Sequence, residues 1–245
     1  MTNTLITGGN KGLGYETARR LIDSGHQVYI GARDPERGRR AATELGAHFI
    51  DLDVADDASV AAAADDVAQQ AGHLDVLINN AGIVGPRKAV ADLTGPDAQE
   101  VFNTNVFSIV RTTNAFLPLL EKSPAPVIVN VSSGLGSFAV VHDPSRVEYT
   151  VPGALYQASK SAVTMLSVQY ARQLPNFRVN VVDPGYTATD LNANSGPQTV
   201  TEGTDAIVAM ATIGADGPTG TFTDRNGRGG LVVACQHPTA VTRMS

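Results

Sequence analysis

A short apolar run, Thr4-Leu5-Ile6-Thr7, opens directly into Gly8-Gly9-Asn10-Lys11-Gly12-Leu13-Gly14, and a helical pattern follows through Ala18, Leu21 and Ile22. Few stretches restrict a fold more. Strand, glycine-rich turn and helix in succession present backbone N–H groups and a helix N-terminus to a phosphate. The spacing is Gly-xxx-Gly-x-Gly rather than the commoner Gly-x-Gly-x-x-Gly, and taken alone it reads equally as a tight turn. Its place at a strand–helix junction makes Gly8, Asn10, Lys11, Gly12, Leu13 and Gly14 candidates for dinucleotide binding.

The same alternation repeats along the chain. Gly25 closes the first helix, and His26 to Gly31 reads as a second strand. Asp34-Pro35-Glu36 starts a helix that Gly46 stops, with Asp as N-cap and Pro at the first helical position. Further strands are expected at Phe49 to Val54, Leu74 to Ile78, Val127 to Val131, Arg178 to Val182 and Gly220 to Thr223. Helices are expected from Ser59 to Ala71, from Asp97 to Leu120 and from Tyr156 onward. A last one runs through Ile207 and Met210 behind the capping box Thr199-Val200-Thr201-Glu202. Nearly unbroken apolar strands belong to a parallel sheet covered on both faces. No composition break, linker or repeat interrupts the series, so residues 1–245 are expected to form one α/β domain with a doubly wound parallel sheet. Leu135 to Leu155 and Tyr186 to Gln198 are the least regular stretches, and no element can be placed after Gly227.

Several strands end in residues suited to a ligand crevice. After the second strand, where NAD-using folds place an acid for the ribose 2′-hydroxyl, stand Ala32 and Arg33. A guanidinium there suits a 2′-phosphate, with Lys11 as a second cation, although both also read as ordinary surface bases and Arg33 has Asp34 beside it. Asp53, followed by Val54, can accept from an adenine amino group or cap a helix. Asn79-Asn80-Ala81-Gly82 allows close backbone approach after the fourth strand. Asn105 interrupts a helix where Asn has poor propensity. Ser132-Ser133-Gly134 ends the fifth strand, at the crevice side of such a sheet. Tyr156 and Lys160 stand one helical turn apart on one face, and a nearby ammonium favours a phenolate; alone, such a pair is more often a surface or core-edge contact.

Taken in order, Thr7-Gly8-xxx-Gly12-x-Gly14, Asn79 to Gly82, Asn105, Ser133, Tyr156-xxx-Lys160 and Pro184-Gly185 resemble the short-chain dehydrogenase/reductase family, over Thr4 to Phe222. Gly8 to Gly12 and Ala32-Arg33-Asp34 look most like its NADPH-dependent carbonyl reductases. The resemblance implies a Rossmann-type seven-stranded sheet, assembled as a homodimer or homotetramer. It implies NADP(H), with NAD(H) less favoured, and interconversion of a ketone or aldehyde with an alcohol. Tyr156 would give or take the proton, Lys160 would lower its pKa and hold the nicotinamide ribose, and Ser133 would orient the substrate carbonyl. Asn105 would position a water linking Lys160 to solvent; Pro184, Gly185 and Thr187 would line the nicotinamide side. The span from Ser133 to Tyr156 is longer than in smaller members, so residues 134–155 and 186–200 are expected to form the substrate loops. The predominantly apolar flap, with Phe138, Val140, Val141 and Tyr149, and the Tyr186/Leu191 loop suggest a compact, partly hydrophobic substrate.

Two other readings remain open from the sequence: a nucleotide-sensing protein without turnover, and a relative that dehydrates or epimerises. Retention of Asn105, Ser133, Tyr156 and Lys160 favours catalysis, and the glycine spacing differs from that usual in the epimerase branch. A net charge of −6 disfavours nucleic acid or an anionic membrane as main partner. The lone Cys235, with no membrane-length apolar run and no secretion pattern, fits a cytoplasmic protein with no bound metal expected.

Overall fold

The computed structural model describes residues 1–228; Cys235 and the rest of the tail lie outside them. In chain order the elements are β1 (Asn3–Thr7), α1 (Gly12–Asp23), β2 (Gln27–Ala32), α2 (Pro35–Leu45), β3 (His48–Asp51), α3 (Asp57–Ala71) and β4 (Val76–Asn79). Next come α4 (Gly95–Phe102), a π-helical turn (Asn103–Phe107), α5 (Ser108–Leu120), β5 (Val127–Val131), the short α6 (Phe138–Val141) and α7 (Ala154–Gln173). β6 (Arg178–Val182), α8 (Val200–Gly203), α9 (Asp205–Ala211), β7 (Phe222–Asp224) and β8 (Gly227–Arg228) follow.

The sheet order is β3-β2-β1-β4-β5-β6-β7-β8. The first seven strands are parallel, as expected, and β8 adds an antiparallel edge by pairing Thr223 with Arg228. Strand side chains alternate between faces, so neighbours in sequence enter different cores. Leu5, Leu77, Ile128 and Val179 pack with Val60, Val67 and Phe116 of α3 and α5. Ile6, Ile78 and Val129 pack on the other face with Leu21, Ala42 and Ile207 of α1, α2 and α9. That is a doubly wound, Rossmann-type sheet.

Three boundaries differ from the sequence pattern for physical reasons. β3 stops at Asp51, because Leu52 and Val54 turn into the core and Asp53 forms a local turn. The long helix begins at Gly95 behind a Thr94–Asp97 capping box and widens into the π-helical turn around Asn105. The expected last helix is two, α8 and α9, separated at Thr204.

Amides inside otherwise apolar strands form a buried polar chain. Thr112 of α5 donates to Asn79 Oδ1 at 2.7 Å, Asn79 donates to Asn130 Oδ1 at 2.8 Å, and Asn130 donates to Ser167 Oγ of α7 at 2.8 Å. Every link is satisfied, which fixes α5 and α7 against the same two strands.

Candidate active site

The strand order reverses between β1 and β4, where ligands of such sheets bind. The Thr7 hydroxyl accepts the N–H groups of Asn80 and Ala81, each at 3.0 Å. Asn80 Nδ2 donates to the Thr7 and Gly8 carbonyls at 2.9 and 3.2 Å. Gly8 and Gly12 have positive φ, 65° and 55°, and a Cβ on Gly14 would strike the Gly8 carbonyl oxygen. Half-buried Leu13 packs on the core of the α1 face, and Asn10 is half-buried within the turn. At the start of α1, Lys11 provides no side-chain cap and the first turn holds no acid, so its leading N–H groups face the crevice without a carboxylate partner.

Arg33 is exposed at the end of β2 and makes no ion pair among the described residues. Asp34 does not neutralise it. That carboxylate accepts the Glu36 and Arg37 N–H groups at 3.1 Å and pairs with Arg37. Lys11, expected beside Arg33, instead pairs with Asp190 at 3.2 Å across two exposed side chains. Asp53 Oδ1 accepts the Ala55 N–H at 2.9 Å, its other oxygen has no bond among the described residues, and the Val54 side chain lies in the core.

Tyr156, Lys160 and Ser133 meet at the ends of β5 and α7, opposite Gly82 and Asn105. Lys160 is 4% exposed and its Nζ donates to the Val131 carbonyl at 2.8 Å. A Cβ on Gly82 would stand 3.3 Å from Asn105 Oδ1 and 3.6 Å from Lys160 Nζ, so the glycine opens space between them. Asn105 Oδ1 accepts the Ile83 N–H at 2.8 Å, and its Nδ2 donates to the Ile83 carbonyl at 2.9 Å and to Ser159 Oγ at 3.0 Å. Its side chain is therefore a clamp on the irregular stretch after β4. Ser132 is committed elsewhere: its hydroxyl bonds the Lys160 carbonyl at 2.9 Å and Thr164 at 3.0 Å. The half-buried Ser133 hydroxyl accepts the Leu135 N–H and faces the Tyr156 phenol.

The charges differ from the expectation of a lowered phenol. Burial pushes Tyr156 up to about 12, the Ser133 hydroxyl pulls against that, and Asp183 adds to the rise. Lys160 stands over the Tyr156 ring, 5.7 Å from its centre, rather than against the hydroxyl. Burial also lowers Lys160 to about 8, with Asp183 opposing.

The two irregular stretches come together around a cavity of about 160 Å³, lined by Arg146, Glu148, Asp183, Gly185, Gln198 and Asp224. Val147, Pro184 and Tyr186 add apolar surface to this lining, whereas Phe138 and Tyr149 are exposed. His142 bonds the Phe138 carbonyl and stacks on its ring. Pro184 accepts the Thr187 hydroxyl at 3.0 Å, and Gly185 has φ 72°.

A family model described as short chain dehydrogenase matches residues 2–199. The chain belongs to the short-chain dehydrogenase family. A (+)-neomenthol dehydrogenase from Capsicum annuum is 31% identical over 89% of this chain and 94% of its own length. The structure of salutaridine reductase from Papaver somniferum has a TM-score of 0.81 at 27% identity, covering 91% of this chain and 99% of that one. An NADPH-bound carbonyl reductase from chicken fatty liver has a TM-score of 0.83 at 25% identity, covering 93% and 98%.

This short-chain dehydrogenase is thus an oxidoreductase of a family that uses nicotinamide cofactors. Its residues fit such a group: an uncapped helix start, glycines without room for a Cβ, and a guanidinium after β2 with no ion pair among the described residues. One residue of the site escaped the sequence reading. Asp183 is 6% exposed and acts on both Tyr156 and Lys160. An acid directly after β6, before Pro184-Gly185, is its only signal in the sequence. No helix among the described residues is long and apolar enough to cross a membrane, and none of their acidic, histidine or cysteine side chains cluster as metal ligands.

Proposed function

We propose that this chain is an NADP(H)-dependent oxidoreductase interconverting a ketone or aldehyde with an alcohol, with Tyr156 as the proton donor and acceptor. The observation that carries this reading is the convergence of Tyr156, Ser133 and buried Lys160 beside Gly82 and the uncapped start of α1. Gly8, Asn10, Lys11, Gly12, Leu13 and Gly14 would take the pyrophosphate, Arg33 the 2′-phosphate, and Asp53 with Val54 the adenine. Asn80, Ala81, Gly82, Pro184, Gly185 and Thr187 would wall the nicotinamide half, with Lys160 on its ribose. Bound there, the cofactor supplies or takes the hydride.

The protein residues do the rest. With its phenol near 12, Tyr156 holds its proton at neutral pH and can give it to the oxygen of a carbonyl being reduced. Ser133 donates to that same oxygen and orients it. Lys160, near 8, is largely charged at neutral pH and favours the phenolate left behind. Asn105 sets the backbone of Ile83 and, through Ser159, the first turn of α7. Alcohol oxidation needs the phenolate, so it gains with rising pH.

The same proposal treats residues 1–245 as one domain with substrate loops at 134–155 and 186–200. Exposed Val110 and Met165 leave apolar surface of the kind a homodimer or homotetramer covers. A single cysteine in the sequence fits a cytoplasmic setting.

The test follows NADPH and NADH absorbance against ketones, aldehydes, quinones and oxo-sugars. Turnover with NADPH is expected, and Tyr156→Phe should lower kcat by roughly 10²–10⁴-fold with cofactor affinity retained. Tight NADP binding without turnover of any carbonyl would instead favour a nucleotide sensor.

A further inference from the structure

We infer that Asp183 is a positioning residue for the Tyr156–Lys160 pair, a buried carboxylate that ties the Ser133 turn to the Pro184–Gly185 turn and sets the charge both side chains feel. The inference rests on the proposed roles of Tyr156 and Lys160.

The register places it there. Val131 of β5 pairs with Val182 of β6, and the Ser132 N–H donates to the Val182 carbonyl at 2.8 Å. Asp183 is the next residue and therefore runs beside Ser132, Ser133 and Gly134. Its own N–H donates to the Thr223 carbonyl at 2.9 Å, which fixes the backbone from the β7 side. Its Oδ1 accepts the Gly185 N–H at 2.9 Å. Its Oδ2 faces Gly134, where an added Cβ would lie 2.8 Å away; only glycine admits this approach. The carboxylate thus spans the turn that carries the serine and the turn that would wall the nicotinamide. Lys160 Nζ is anchored on the Val131 carbonyl, at the end of the same strand pair.

The charged and titratable groups facing Asp183 come from each element around it. Tyr156 and Lys160 belong to α7, and Asp224 to β7. Glu148 approaches from the turn at 147–150; its Oε1 would lie 2.9 Å from the same Cβ, and it pairs with Arg146 at 3.1 Å. A carboxylate in this place disfavours the Tyr156 phenolate and favours the Lys160 ammonium, so both hold their protons to higher pH. Burial and the neighbouring acids hold the Asp183 proton more tightly than usual as well, against the two backbone amides. As the pH falls, its charge is therefore lost sooner than that of an ordinary carboxylate, and the hold on the pair weakens with it.

The closing experiment does not need turnover. The lysines of the chain are Lys11, Lys88, Lys122 and Lys160, so a ¹³Cε-lysine NMR titration, assigned with Lys160→Met, follows Lys160 directly. In Asp183→Asn the Lys160 midpoint is expected to fall by about half a pH unit or more. The alkaline limb of kcat/KM for carbonyl reduction should fall with it, and Asp183→Glu should restore both toward wild type. Should Asp183→Asn fail to fold, Asp183→Ser carries the same expectation, since its hydroxyl can still accept the Gly185 N–H. An unmoved Lys160 midpoint in a folded, uncharged variant overturns the inference. Failure of the proposed function is seen separately, as Tyr156→Phe retaining full activity.

Discussion

At residue 33 the proposed preference for NADP(H) rests on one side chain. A guanidinium with no partner among the described residues can offer its donors to a ligand, and Asp34, the obvious competitor, is held by the first turn of α2. A charged hydrogen-bonded contact contributes about 1.5–3 kcal/mol. Arg33→Ala is therefore expected to weaken NADPH roughly 10- to 100-fold while leaving NADH nearly unchanged, read as dissociation constants by fluorescence titration. Equal weakening of both would show that Arg33 does not meet the 2′-phosphate. The sequence showed the arginine and the missing acid, but not which base was free. Lys11 and Asp190 are far apart in the chain, and only the folded 186–200 loop brings them into an ion pair. Asp183 was hidden for the same reason, because its partners Gly134 and Glu148 arrive from β5 and from the long stretch before α7.

At the scale of elements, local patterns make most strands and helices legible in the sequence, and contacts between elements do not show there. Seven parallel strands were legible because a strand covered on both faces must be an apolar run, and caps such as Asp34-Pro35 and Thr199 with Glu202 act within a few residues. The π-helical turn was not, although Asn105 marked its place. The helix widens at the residue whose amide satisfies both backbone groups of Ile83, and that pairing is invisible to helical periodicity. The turn is thus held from outside the helix. Asn105→Ala would leave the Ile83 N–H, the Ile83 carbonyl and a bond to Ser159 Oγ without their partner in a buried site. A cost of about 2–4 kcal/mol follows, lowering the calorimetric midpoint by roughly 5–10 °C. A shift below about 2 °C would mean that water replaces the clamp.

For the molecule as a whole, the features that suit proton transfer oppose stability, and the sign of that opposition can be measured. Lys160 is 4% exposed, and its ammonium is lowered from 10.5 to about 8 in the folded chain. Below pH 8 both folded and unfolded chains carry the charge, and the folded one bears the full cost of burying it. Between pH 8 and 10.5 the folded chain has released the proton and the unfolded chain still binds it, so stability rises with pH in that window. Above 10.5 neither state holds the proton and the contribution is level. Complete relief amounts to about 3 kcal/mol. Surface groups titrate alike in wild type and in Lys160→Met, so they cancel when the two are compared. Measured by urea unfolding, the stability of Lys160→Met relative to wild type should therefore fall by about that amount from pH 7.5 to 10.5, whatever constant offset comes from the lost bond to Val131. A pH-independent difference would place the Lys160 ammonium in a solvated setting and remove the reason for it to assist Tyr156. The expected slope instead makes the buried ammonium a cost that the rest of the sheet carries to keep a cation beside the phenol.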